Sequence, residues 1–506
     1  MIDKNRRRLL KVAALLPAAA VLKVPGGGLA ALAQRQTGTH AAGVASFVID
    51  TAQRQRKVSP ALASLSYEAL QVVGGRYFSA RNKDLVALFR TLNPNGVLRV
   101  GGNSSDFTVW SGYTGTLPYD PGERGPKKPY VLHPEDIHAL AGFLDAVGWK
   151  LIFGVNLKIG VPEMAVQLAR AVKQAVGDRL LAIQIGNEPD DFRKFHRSYA
   201  AYSAAWTPYY KALHAAGLPI GGPDTGGSTD WVIDYAHQHG GQSVLLSRHY
   251  YRGGEQDGSI ADLLSGAAGF YRQVDEIVRA ADAERLPFYI TEGNSYWSGG
   301  RPGVSNAYAS ALWGADFLLA LAQRGVAGMA FHGGTLQVDQ ASLGKTVHPE
   351  AATSLSARRD AVTAYYGPIA GDPALGFQPA PLFHGLELAQ RFAGGQMLAS
   401  QLDAGGVNLT AYAAVHGDRV IASLINKDAT RDATVSIGGL RGYRLSGYER
   451  LTGPALDSTS GTRFAAVEHP DAAIAATVAA DGVHVVQVLH ASAAYLTFQR
   501  EAAHAA

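Results

Sequence analysis

Two rhythms of hydrophobic and polar positions divide this chain. From Ala61 to Gly334 short apolar runs alternate with longer amphipathic stretches, and after about His384 a faster alternation of short runs and turns takes over. In the first region the runs Ala61–Glu68, Gly96–Gly102, Lys150–Asn156, Leu181–Glu188, Pro219–Thr225, Ser243–Tyr251, Pro287–Asn294 and Val326–Gly334 read as buried parallel strands. Helical patterns lie between most of them, at His133–Gly148, Val161–Gly177, His196–Gly217, Gly269–Arg285 and Ser305–Gly325. Pro134 and Gly148 punctuate the first of these helices at its start and end. Eight strands with intervening helices predict an α/β fold, a (β/α)8 TIM barrel. An open doubly wound sheet usually carries a Gly-rich phosphate loop after its first strand. Here that strand ends in Ser66-Tyr67-Glu68, and Gly101-Gly102 lacks the full fingerprint, so no nucleotide site is expected.

The later rhythm predicts a C-terminal β-sandwich domain. Its strands are expected at Leu409–Val415, Arg419–Asn426, Ala433–Ile437, Tyr443–Tyr448, Val483–Leu489 and Ala494–Phe498, with turns at Gly405-Gly406, His416-Gly417-Asp418 and Ala480-Asp481-Gly482. Ser46-Phe47-Val48-Ile49-Asp50 reads as one more strand, expected to join that sheet from the N-terminal side. The expected layout is an N-terminal segment over 34–60, a barrel over 61–384 and a sandwich over 385–500.

Residues 1–33 read as an export signal. Asn5-Arg6-Arg7-Arg8-Leu9-Leu10-Lys11 resembles the twin-arginine pattern, Val12 to Leu22 form a short apolar core, and Ala31-Leu32-Ala33 offers a small-residue cleavage site. A periplasmic or secreted location is therefore expected. This changes the charge argument. The chain carries +4 overall, but residues 1–33 hold six basic groups and one acid, so the remainder carries −1. Global steering toward nucleic acid loses its support. There are no cysteines, which rules out disulfides, thiolate metal sites and a cysteine nucleophile. Past the N-terminus no apolar stretch is long enough to span a bilayer, so no membrane insertion of the mature form is expected.

The candidate chemistry lies at two strand ends. Ile183-Gln184-Ile185-Gly186-Asn187-Glu188-Pro189 and Phe288-Tyr289-Ile290-Thr291-Glu292-Gly293-Asn294 each end an apolar run in a glutamate. On the strand count Glu188 ends the fourth barrel strand and Glu292 the seventh, and barrel active sites lie at that face. Two such carboxylates are the minimal equipment for breaking a glycosidic bond. Glu188 is expected to protonate the leaving oxygen and Glu292 to act as nucleophile. Pro189 is expected to hold Glu188 in extended geometry. Asn187 is placed to bond a sugar hydroxyl. Taken singly, each glutamate also reads as an ion-paired loop residue or cap. His249 and His332 read as hydrogen-bonded cleft or core histidines, because no partner stands at ligand spacing. Asp224, in Gly222-Pro223-Asp224, reads as structural, and neither a metal nor another cofactor is expected.

The combination resembles glycoside hydrolase family 79, which contains heparanase and microbial β-glucuronidases. Leu98-Arg99-Val100-Gly101-Gly102-Asn103-Ser104-Ser105-Asp106-Phe107, Leu151-Ile152-Phe153-Gly154-Val155-Asn156, Gly186-Asn187-Glu188-Pro189, His249-Tyr250-Tyr251 and Thr291-Glu292 carry the resemblance, which runs from about Ser59 to Gly334. It implies a carbohydrate substrate bearing glucuronic acid, Glu292 as nucleophile and Glu188 as acid/base. It also implies sugar contacts from Glu68, Asn103 and Asn187, although Glu68 also reads as a plain strand-end carboxylate. Trp297-Ser298-Gly299-Gly300 resembles the family's glycine-rich turn, whose backbone N–H groups face the uronic carboxylate. Such a turn forms an anion nest; read plainly, the same residues make a flexible loop. Tyr250 and one of Tyr365 or Tyr366 are further candidates for the sugar site.

The expected function is a retaining, exo-acting β-glucuronidase. An endo-acting, heparanase-like enzyme remains open, kept so by Lys158, Arg193 and Arg248. The sequence is also compatible with a non-catalytic carbohydrate-binding barrel and with a related enzyme acting on a neutral sugar.

Overall fold

Eight parallel strands close into a barrel in strict sequence order. With the N-terminal strand Gly43–Lys57 as β1, the barrel strands are β2 Ala63–Glu68, β3 Val97–Gly101, β4 Lys150–Val155, β5 Leu180–Ile185, β6 Ile220–Thr225, β7 Leu245–Gly253, β8 Phe288–Tyr296 and β9 Gly328–Gly333. The computed structural model describes residues 43–118, 122–467 and 483–501. The expected export signal at 1–33 and the turn Ala480-Asp481-Gly482 lie outside the described residues. No helix among the described residues is long and apolar enough to cross a membrane.

Eight helices ring the barrel: α1 Lys83–Leu92, α2 Pro134–Val147, α3 Pro162–Val176, α4 Tyr199–Ala215, α5 Thr229–His239, α6 Ala268–Glu284, α7 Tyr308–Arg324 and α8 Pro381–Gln390. Their ends follow local chemistry. At α2 the Asp136 carboxylate accepts from the His133 N–H at 2.9 Å, Pro134 fits the first turn, and Gly148 closes the helix in left-handed geometry. Ser198 and Ser228 cap α4 and α5 by accepting backbone N–H groups of the first turn. The expected boundary at 384/385 falls inside α8, which packs on both α7 and α1 and so belongs with the barrel.

The C-terminal domain comprises β10 Gln396–Asp403, β11 Leu409–His416, β12 Arg419–Asn426, β13 Ala433–Gly438, β14 Tyr443–Thr452, β15 Arg463–Ala466, β16 His484–Val488 and β17 Ser492–Arg500. With β1 they form a single nine-stranded sheet in the order β15-β14-β17-β12-β11-β10-β1-β13-β16. This one sheet curls back on itself, so that strands distant in its order face one another. His484 on β16 and Phe498 on β17 meet with ring centroids 4.9 Å apart although their strands are distant in that order. β1 lies antiparallel to β10 and parallel to β13, and buries Phe47 and Ile49 against the inner face. Each such side chain contributes roughly 1.5–3 kcal/mol by burial.

The barrel interior is layered by polarity. Near the strand starts it holds Ala61, Val97, Ile152, Ala182 and Leu245. Nearer the strand ends it holds Ser66, Arg99, Gln184, Asp224, Ser247, His249 and Thr291, all buried. Buried polar groups on this scale persist only when they satisfy one another.

Candidate active site

The two glutamates reach the same place by different backbone devices. β5 ends at Ile185, and Gly186 then turns left-handed with φ +84°. Glu188 is itself left-handed at φ 51°, ψ 53°, not extended as Pro189 predicts. That conformation costs a residue with a Cβ roughly 1–2 kcal/mol. Two hydrogen bonds hold it: Glu188 N–H donates to the Asp224 carbonyl at 2.9 Å, and the Glu188 carbonyl accepts from Asp191 N–H at 3.0 Å. The turn brings the Glu188 side chain to His249, whose Nδ1 lies 2.9 Å from Oε1.

Glu292 does not end its strand, since β8 continues to Tyr296. Its pairing with β7 slips between Ile290 and Glu292. An irregularity of this kind lets consecutive side chains face the same way. Accordingly Thr291 bonds Asp224 inside the barrel while Glu292, the next residue, bonds Arg99 there too.

Arg99 organises the centre. Its Nη1 donates to Glu292 Oε2 at 2.6 Å, and its Nη2 to Asp224 Oδ2 at 2.5 Å and Asn187 Oδ1 at 2.7 Å. Tyr251 donates to Glu292 Oε1 at 2.9 Å. His249 bridges outward, with Nε2 3.1 Å from Asp224 Oδ1 and Nδ1 on Glu188. These contacts push the two glutamates in opposite directions. Burial raises Glu188, and the His249 hydrogen bond only partly offsets it. Burial also acts on Glu292, but the surrounding positive charge outweighs it and holds the group below the usual glutamate value. His332 is driven down to about 4 by burial and is uncharged at neutral pH, so the anionic state of Glu292 rests on Arg99 and His249. His249 is raised to about 10: burial lowers it, and Asp224 and Glu292 overcome that.

The cleft above this centre holds about 940 Å³ and is lined by Glu68, Asn103, Glu188, Glu292, Trp297, Ser298, His332, Asp339 and Tyr366, among others. Glu68 is buried and accepts from Ser104 N–H at 2.9 Å and Asn103 N–H at 3.2 Å. Burial first, then the Glu292 charge, raises its pKa to about 8. Asn187 gives its oxygen to Arg99 and leaves its amide nitrogen without a partner among the described residues. Trp297 is exposed at the rim. Ser298, Gly299 and Gly300 all have positive φ, at 63°, 89° and 88°. The Ser298 carbonyl accepts from Gln340 Nε2 at 2.9 Å and the Gly299 carbonyl from Tyr366 N–H at 3.2 Å. The three N–H groups of the turn have no acceptor among the described residues.

Tyr250 borders the cleft, and its ring packs against Phe270 at 4.1 Å and stacks on Phe317 at 4.6 Å. Strand alternation puts His249 and Tyr251 inward and Tyr250 outward. Of Tyr365 and Tyr366, Tyr366 is the buried one that lines the cleft, with its hydroxyl on Asp339. Arg99, Tyr251 and Asp339 carry the site without having been singled out from sequence, and Asp224 is a hub of it. Arg99 left one signal: a charge flanked by Leu98 and Val100 inside a barrel strand. Tyr251 left another, its two-residue spacing from His249.

Glu188, His249 and Glu292 offer ligand atoms within 4.8 Å of one another, a spacing that a cation could use. Those atoms are already engaged by Arg99, Tyr251 and one another, so the arrangement suits proton transfer between two unlike carboxyl groups better than metal coordination.

Barrel and curled sheet together define an architecture shared with solved structures. The chain resembles that of a 4-O-α-L-rhamnosyl-β-D-glucuronidase from Fusarium oxysporum 12S, with TM-score 0.66 and 18% identity over 89% of this chain and 100% of that one. It also resembles a GH51 arabinofuranosidase from Xanthomonas axonopodis pv. citri, with TM-score 0.64 and 16% identity over 90% and 100%. These likenesses show the fold. By sequence the chain is 27% identical over 282 residues to a β-glucuronidase of Neurospora crassa, covering 47% of this chain and 50% of that protein. The chain spans about half the length of the curated relatives it matches. No family model matches it.

Proposed function

We propose that this protein is a retaining, exo-acting β-glucuronidase of the glycoside hydrolase family 79 type. The observation that carries the reading is the pairing of Glu188 and Glu292 with opposite proton affinities within 4.8 Å across the barrel mouth. Retaining enzymes hold their two carboxyl groups about 5–5.5 Å apart. Glu292, held anionic, attacks the anomeric carbon while Glu188 gives its proton to the leaving oxygen. The glycosyl–Glu292 ester forms as the glycosidic bond breaks. Glu188 then takes a proton from water, whose oxygen attacks the same carbon and releases Glu292. Asn187, with its free amide nitrogen, donates to a sugar hydroxyl beside the scissile bond.

The sugar class follows from the turn at Ser298–Gly300, whose unpaired N–H groups suit a uronic carboxylate. The likeness to a curated β-glucuronidase points the same way. Exo action is favoured over a long basic groove because Lys158 and Arg193 are spent on the carbonyls of Arg124 and Gly122. The rim also mixes Asp190, Asp191 and Asp262 with Arg124, Arg197 and Arg252. Twin-arginine export to the periplasm or outside belongs to the same reading.

Turnover of an aryl β-glucuronide tests it. Glu292→Gln should reduce kcat by on the order of 10⁴ or more. Near-normal turnover in that variant ends the nucleophile assignment, and equal rates on aryl glucuronide and aryl glucoside end the uronic one.

A further inference from the structure

The Asp339 carboxyl lies in the cleft but has no task in this mechanism. It sits on the short helix Leu336–Ser342, which follows β9. It is buried and lines the cleft. Its Oδ1 accepts from the Tyr366 hydroxyl, and its Oδ2 from Gln340 Nε2 at 2.9 Å. The same Gln340 nitrogen donates to the Ser298 carbonyl at 2.9 Å. A Cβ on Gly299 would come 3.1 Å from Asp339 Oδ2. Asp339 therefore lies against the turn whose free N–H groups suit a uronic carboxylate, and both of its hydrogen-bond partners are neutral.

Its surroundings oppose a further negative charge. Besides Tyr366, the titratable groups that act on it are Glu292 from β8, Tyr251 from β7, Glu68 from the end of β2 and Glu255 from the loop after β7. None is a cation, and Asp339 makes no ion pair among the described residues. Burial first, then the Glu292 and Glu255 charges, raise it to about 6, against the hydrogen bonds from Tyr366 and Gln340. A uronate arriving at the turn sets one more anion beside it. Two close carboxylates relieve their repulsion by taking up one proton between them. Tyr366 supplies the connection, since it lines the cleft and its N–H also holds the Gly299 carbonyl. Toward ionised Asp339 the phenol must donate. Once Asp339 is protonated, its O–H donates to the Tyr366 oxygen, and the phenol O–H is released to the substrate carboxylate.

We propose that Asp339 is a specificity-determining group: a glucuronide enters the turn together with one proton from solvent, which Asp339 holds and passes on as a hydrogen bond through Tyr366. The proposal rests on the glucuronidase reading and deepens it. Recognition of a uronic sugar then depends on pH, and recognition of a neutral one does not. Below about pH 6 Asp339 already carries the proton and uronate affinity is flat; above it each pH unit weakens binding by up to about tenfold.

Phenyl β-D-thioglucuronide and phenyl β-D-thioglucoside resist hydrolysis and differ only at C6. Calorimetric titration of both from about pH 5 to 7.5, in buffers of different ionisation enthalpy, counts the protons taken up. Thioglucuronide should take up close to one proton at the upper end and almost none at the lower, and its Kd should rise about tenfold or more over this range. Thioglucoside should show neither effect. Asp339→Asn keeps the shape and a neutral partner for Tyr366, so it should bind thioglucuronide at about pH 7.5 at least as tightly as wild type and without proton uptake. Equal uptake with both ligands would assign the proton to Glu68 or the catalytic pair and overturn the proposal, as would uptake that survives in Asp339→Asn. The comparison of the two ligands on wild-type protein stands even where Asp339→Asn fails to fold. A preference for thioglucuronide with no proton uptake overturns this proposal alone; no preference at any pH overturns the glucuronidase reading and this proposal with it.

Discussion

At the scale of single residues, the site works by giving similar carboxyl groups different neighbours. Glu292 accepts from Arg99 and Tyr251, whereas Glu68, also buried, accepts from backbone and Ser104 donors and faces the Glu292 charge. Tyr251→Phe removes one charge-assisted hydrogen bond, a contribution of about 1.5–3 kcal/mol. It should lower kcat by roughly 10–100-fold and move the acidic limb of kcat/KM to higher pH, because Glu292 loses a hydrogen bond that helps hold its pKa below the usual value. A reduced rate with an unmoved acidic limb would mean that Tyr251 only packs there. Glu68 gives the opposite sign. Its folded pKa of about 8 lies above the ordinary glutamate value of 4.5, so the folded state binds this proton more tightly than the unfolded one. Stability from this group is fully present below about 4.5 and is lost as pH rises toward 8. Glu68→Gln lacks that loss. Its melting temperature relative to wild type should rise across this window, while sugar binding weakens. A difference that stays flat from about pH 5 to 8 would refute the assignment.

At the scale of elements, how legible each part was in the sequence depended on how local its cause is. All eight barrel strands stand where their apolar runs do, because burial on both faces leaves a continuous signal. β10 and β15 gave no such signal; their residues are mostly half-buried or exposed, so neither apolar run nor alternation forms. The left-handed Glu188 was hidden for a different reason. Its geometry is held by the Asp224 carbonyl on the next strand, a partner that no local pattern encodes. Arg99 and Asp224 were hidden likewise, since their roles exist only once the barrel closes. The Ser298–Gly300 turn was legible because its glycines mark positive φ directly. There Gly300→Ala would put a Cβ 2.9 Å from the Tyr366 backbone nitrogen in a conformation that disfavours side chains. It should raise KM for an aryl glucuronide by roughly tenfold or more, about 1.4 kcal/mol, while altering aryl glucoside kinetics far less. Equal effects on both substrates would remove the turn from carboxylate recognition.

At the scale of the molecule, α7 is the element that holds barrel and curled sheet together. It is buried from Tyr308 to Ala322, with the barrel and α8 on one side and the sheet on the other. Gly314 and Gly385 let α7 and α8 approach closely: a Cβ on Gly314 would lie 2.4 Å from Leu382, and one on Gly385 would overlap the Ala311 carbonyl. On the sheet side Asp316 of α7 accepts from Thr410 and Tyr412 at 2.7 Å and pairs with Lys427 at 2.5 Å, with Asp316, Tyr412 and Lys427 buried. Breaking one side of a buried pair costs about 3–5 kcal/mol, because the abandoned charge stays buried. Lys427→Met should therefore lower the melting temperature by several degrees, whereas Asp316→Asn combined with Lys427→Met should recover most of the loss, since no charge is then left uncompensated. Turnover per folded molecule should stay near wild type in both variants, because none of these groups lines the cleft. If the double variant instead loses the sum of the two single losses, the pair does not act as a unit and the sheet is held to α7 by apolar packing alone.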